Sequence, residues 1–197
     1  MGRAWALQLE VVRQIKICFI CNLMKGNYHV DENALEQDPI LENYVHCLNL
    51  LRAVIDGLQV SELDFSRKPG EWSIREIIHH IADGDYIWKI CIQMALGEGE
   101  SPFHLKWYWE TEQRRWSQLW GYSSREIEPS LALLTANRKH TVELLSKVDN
   151  SLSRSIIIEW PGGRQEEVNI GWVLEMQTNH VEGHVKEIRK IREVNNL

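Results

Sequence analysis

The residues best placed for chemistry are two histidines one helical turn apart, His180 and His184. Read at about 100° per residue, the stretch 169–193 puts Ile170, Val173, Leu174, Gln177, His180, Val181, His184, Ile188 and Ile191 on one face. Glu175, Glu182, Lys186, Arg189 and Lys190 fall opposite. That pattern predicts an amphipathic helix of roughly 24 residues, about 36 Å long. Imidazoles at i and i+4 point the same way and can share a single metal ion. The plainer alternative is a pair of packed or surface histidines, and with eight histidines in the chain one such pair is an ordinary coincidence. A third inward histidine on another element would tip the balance.

An earlier helix supplies it. Ser73-Ile-Arg-Glu76 is a capping box, and Trp72 with Ile77 forms the hydrophobic staple that fixes the chain's entry. Ile74, Ile77, His80, Ile81, Gly84, Trp88, Cys91, Ile92 and Ala95 then share a face, with Gly97 ending the helix. His80 lies within this stripe; His79, turned about 100° away, is expected on the flank. A buried ionisable group is costly unless paired or bound. Three neutral imidazoles would leave a zinc, nickel, manganese or iron(II) ion with open positions, and such an ion lowers the pKa of bound water to about 7. Ligating histidines need an acceptor on their other ring nitrogen, for which Asp83 and Glu187 are candidates; ordinary solvated charge is the alternative for both. The capping box already engages Glu76.

The elements that must position these residues are legible in outline. Asp38-Pro39 opens a helix with the stripe Leu41, Tyr44, Val45, Leu48, Leu51, Ile55 and Leu58, which ends near Gly57 and leaves His46 in solvent. Between residues 98 and 122 the chain is loaded with aromatics, and Trp109, Gln113, Trp116 and Trp120 align on one helix face. These serve either as core or as the wall of a pocket, to which Trp88 and Gln177 are further candidates. Another helix begins between Ser123 and Pro129, carries Leu131, Leu134, Arg138, Thr141, Val142, Leu145 and Val148, and is expected to let Arg138 snorkel; His140 falls off its face. Residues 155–168, broken at Pro161-Gly-Gly163, read as a short hairpin leading into the last helix, with Asn169 as N-cap. The fold class predicted is all-α, an antiparallel four-helix bundle with a small β-hairpin before the last helix.

Composition excludes several functions. A net charge of −6 over 197 residues, with Lys and Arg scattered among acids, gives no basic patch for nucleic acid. No run of 18 apolar residues exists to span a membrane, and the N-terminus, interrupted by Glu10, Arg13 and Lys16, does not read as a signal peptide. Four cysteines make no disulfide framework, so a cytoplasmic setting is expected. Residues 1–30 read as an N-terminal extension and 31–197 as the domain. Within the extension, residues 1–23 fit strand and helix equally, and Met24 is a candidate native start. Cys18 and Cys21 lack the second cysteine pair that a zinc site needs and read as small apolar positions.

With the helices and three inward histidines in place, the chain resembles the DinB/YfiT-like superfamily of metal-binding four-helix bundles. The resemblance rests on Lys68-Pro-Gly-Glu-Trp-Ser-Ile-Arg-Glu76 leading into His80-Ile-Ala-Asp83, and on His180-Val-Glu-Gly-His184 followed by Glu187-Ile188. It implies that His80, His180 and His184 hold one divalent metal. It further implies a metal-dependent enzyme acting on a small molecule, foremost an S-transferase using a low-molecular-weight thiol, with a metal-activated-water hydrolase beside it. Homodimers are common in the family. Two positions depart from its pattern: Gly183, where many members carry a further histidine, and Glu187, where many carry glutamine. Neither removes a ligand. Two other readings stay open: a non-catalytic stress-response protein binding a metal or small molecule, and a structural bundle whose histidines bind nothing.

Overall fold

Asp38 caps the first helix as expected, its carboxylate accepting from the Ile40 amide at 2.9 Å with Pro39 in the first turn. The computed structural model describes residues 38–97 and 101–197, which belong to one compact unit, Asn33–Leu197. The readings of residues 1–30, including Met24, Cys18 and Cys21, lie outside the described residues. Helix α1 spans Pro39–Ile55 and α2 spans Ile74–Leu96. The Ser73–Glu76 capping box is present in both directions, satisfying two amides that α2 would otherwise leave bare. The aromatic segment follows as strand β1 (Phe103–His104) and two short helices, α3 (Lys106–Trp109) and α4 (Gln113–Leu119). The single aromatic helix face expected there is therefore broken in two. Helix α5 (Ile127–Ser146) starts inside the predicted window.

Strands β2 (Ser155–Glu159) and β3 (Gln165–Asn169) form the expected antiparallel hairpin, turned by Gly162 and Gly163 at φ of 85° and 80°. β1 adds to it in parallel, Phe103 opposite Ile158, which makes a three-stranded sheet where the sequence predicted two strands. Helix α6 (Ile170–Asn195) follows at once, and the Asn169 side chain accepts from the Trp172 amide at 2.8 Å.

The four long helices form a bundle in which α1 packs on α6 and α5, and α2 packs on α5 and α6. Thus α1 and α2, successive in sequence, face each other across a diagonal. Two apolar clusters fill the interior: Leu41, Tyr44, Cys91, Ile92, Val142 and Leu174 in one half, and Leu48, Leu51, Ile77, Ile81, Leu134 and Val181 in the other. Between them runs a polar belt of Asp85, Asn137, Arg138 and Gln177, all buried. No helix among the described residues is long and apolar enough to cross a membrane.

Candidate metal centre

Because α2 and α6 pack side by side, His80 on α2 meets His180 and His184 on α6 at their seam. The Nε2 atoms of His80 and His180 are 3.0 Å apart, and those of His180 and His184 are 3.1 Å apart. Nitrogens about 2.1 Å from a common cation, at angles between octahedral and tetrahedral, stand about 3.0–3.4 Å from one another. The two pairs that share His180 match that spacing, all three ligand nitrogens lie within 4.8 Å of one another, and the rings meet nearly edge to face, with interplanar angles of 76–81°. The histidines are half-buried and lie at the margin of the α6 apolar stripe, whose centre is Gln177, Val181, Val185 and Ile188.

Hydrogen-bond accounting shows why this cluster suits a cation. Glu187 Oε2 lies 3.0 Å from His184 Nδ1, so the ring proton sits on Nδ1 and the Nε2 lone pair faces inward. His180 Nε2 has two ring nitrogens in reach yet carries only one proton or one lone pair. Burial, then the neighbouring imidazoles, pushes His80 down to about 2; burial and His184 push His180 down to about 4. Burial also lowers His184, against the pull of Glu187. At neutral pH all three rings are uncharged, the state in which imidazole binds metal. The residues present fit a divalent ion held by three nitrogens.

Trp72, read from the sequence only as a staple, also walls this cluster. Its ring meets His80 edge-on at 4.5 Å and lies parallel to His184 at 6.2 Å. Of the two acids proposed to brace the histidines, Glu187 reaches His184. Asp83 turns instead to Arg125, 3.4 Å away, and to Tyr122. Of the two pocket candidates, Trp88 lines a cavity of about 140 Å³ that abuts His80 and His180. Gln177 is buried in the belt beside Arg138, and its Nε2 has no hydrogen-bond partner among the described residues.

Two expectations are corrected. His79, expected on the flank of the stripe, is fully buried, its Nδ1 2.8 Å from Ser130 Oγ and its Nε2 3.3 Å from the Arg125 carbonyl. Packing α2 against both α5 and α6 widens its buried arc beyond the single stripe. Arg138 does not snorkel. It is buried against Asp85 at 2.8 Å, with the Tyr44 carbonyl, Cys47 Sγ and the Gln177 carbonyl as further acceptors. The sequence held a signal for this: Asp85 falls four residues after Ile81 and seven before Ile92, inside the α2 stripe.

Known proteins place the geometry in context. The DinB superfamily model matches residues 43–188. A candidate metal-dependent hydrolase of Oceanobacillus iheyensis is 34% identical over 96 residues, an alignment spanning 49% of this chain and 52%, about half, of that relative. Among solved structures, YfiT from Bacillus subtilis, described as a candidate metal-dependent hydrolase with an unusual four-helix bundle topology, superposes with a TM-score of 0.66. It is 21% identical, with 78% of this chain and 84% of that one covered. A mycothiol-dependent maleylpyruvate isomerase shares the fold at a TM-score of 0.57 and 15% identity, with 78% of this chain and 62% of that one covered. With its family model matched from α1 to the last turns of α6, this chain belongs to the DinB superfamily.

Proposed function

We propose that this protein is a divalent-metal-dependent enzyme acting on a small molecule, with hydrolysis as its reaction. The observation that carries the reading is the convergence of three uncharged Nε2 atoms, 3.0 and 3.1 Å apart, at one end of a cavity of about 140 Å³. His80, His180 and His184 would hold the ion, and relatives named as candidate metal-dependent hydrolases support it. Bound there, a divalent cation supplies Lewis acidity, activating water and polarising a carbonyl. The chain's own residues prepare the place. Glu187 keeps a proton on His184 Nδ1 and so aims Nε2 inward. Trp72 packs its ring against both His80 and His184 and helps hold them in place. A cavity this small has room for about five waters, which suits a compact acyl group better than a large thiol conjugate.

Metal content and turnover of tag-free protein test the reading together. One zinc, nickel, manganese or iron ion per chain is expected, lost in His180→Ala, with metal-dependent hydrolysis from a panel of small esters and amides. Protein that binds no such ion at one per chain ends the proposal. Metal-loaded protein that joins low-molecular-weight thiols to electrophiles but hydrolyses nothing makes it an S-transferase, and turnover of neither makes it a binding protein.

A further inference from the structure

The cavity beside the histidines has a definite chemical character. Besides His80 and His180 it is lined by Gly84, Ile87 and Trp88 of α2, Met176 of α6, and Tyr108 and Gln113 of the aromatic segment. Apart from the two histidines, the lining holds no carboxylate, ammonium or guanidinium group. Polarity is concentrated at one amide. Gln113 Oε1 accepts the Tyr108 hydroxyl at 2.8 Å, so what Gln113 has left to offer is the pair of Nε2 hydrogens.

That amide has a rigid mount. The Tyr108 ring lies nearly parallel to Trp116 and Trp120, at 5.9 and 6.2 Å, and the Trp116 indole N–H donates to the Tyr108 carbonyl at 2.8 Å. Helix α4 is tied to α2 through Ser117 Oγ, which donates to Glu76 Oε1 at 3.1 Å. Gly84 completes the design. A β-carbon there would meet only His180 Cε1, at 3.9 Å, an ordinary contact. Backbone geometry therefore does not demand glycine, and glycine weakens a helix relative to alanine. Its physical effect is space beside His180.

We propose that this cavity is the substrate subsite and that it selects small carbonyl compounds. Gln113 Nε2 donates to the carbonyl-type oxygen, while Ile87, Trp88 and Met176 cover one apolar substituent. Gly84 sets how large that substituent can be. The inference rests on the metal-dependent reading and adds to it a substrate class and a specificity residue.

Calorimetric titration of zinc-loaded protein with acetohydroxamic, butyrohydroxamic and benzohydroxamic acids tests it, zinc stoichiometry being measured separately on every variant. Gln113→Leu is expected to weaken all three about five- to tenfold, the effect of one lost hydrogen bond, with zinc still at one per chain. Tyr108→Phe, which frees the Gln113 amide to turn, gives a smaller loss of the same kind. Gly84→Ala leaves acetohydroxamate within twofold and weakens benzohydroxamate at least tenfold, while the zinc-free variant melts no lower than wild type. Unchanged dissociation constants across all three variants, with zinc bound, overturn the subsite. Absence of zinc from wild-type protein overturns the metal reading itself, and the stoichiometry tells the two failures apart.

Discussion

Two polar clusters sit within a turn or two of each other on α2 and α6, and they solve burial in opposite ways. Around Arg138 the charged groups are answered: Asp85 takes the guanidinium and the Asn137 amide, and backbone carbonyls with Cys47 Sγ take the remaining guanidinium N–H groups, leaving only the neutral Gln177 Nε2 without a partner among the described residues. Side-chain exposure of both Arg138 and Asp85 is 0%. The histidine cluster is half-buried, and its nitrogens face one another with more lone pairs than protons can satisfy. The first cluster is closed and fixes how α1, α2, α5 and α6 meet. The second is open and asks for a cation. Buried polarity alone does not mark a functional site; a shortfall of partners on converging atoms does.

Removing one partner from each cluster separates them. Arg138→Met strands the Asp85 carboxylate in the core and is expected to destabilise the fold by about 3–5 kcal/mol, read as a lowered urea midpoint. Adding Asp85→Asn should recover part of that loss; an Arg138→Met protein as stable as wild type would mean that the cluster is not closed. Glu187→Ala, in contrast, should leave the metal-free fold within about 1 kcal/mol of wild type, because its carboxylate reaches the surface. Its zinc affinity should fall about 10- to 100-fold through loss of the Nδ1 acceptor, measured by competition with a chelator. A further contrast is in pH dependence. Burial lowers His80 and His180 in the folded chain to about 2 and about 4, below the ordinary 6.5. Above pH 6.5 neither state binds these protons, so nothing is lost. Below it the unfolded chain takes up protons that the fold refuses, so metal-free stability falls with pH by up to about 1.4 kcal/mol per unit for each histidine. His80→Ala should make that slope shallower.

Much of the bundle was legible because its signals are local. The capping box at Ser73, Asn169 before α6, and the glycines of the hairpin each state a backbone need that neighbours in sequence satisfy. The histidines were legible because their faces could be computed on helices, although their meeting could not. What escaped depended on tertiary partners. His79 is buried because α5 covers it, and Arg138 because Asp85 waits on a helix 53 residues away in sequence. Strand β1 is two residues long, too short to show alternation, and exists only because β2 presents an edge to it. Gln113 as a donor depends on Tyr108 occupying its oxygen, a hydrogen bond that no periodicity encodes.

The 100-residue separation between His80 and His180 bears on how the chain folds. Their rings come within reach only once a long intervening loop has closed, and that closure is entropically expensive before the bundle's contacts reward it. An ion captured at the seam thus reports that the bundle has assembled, and it then clasps the loop ends as a cross-link would. Its grip should show most in slower unfolding, since the seam must part before α6 can leave α2.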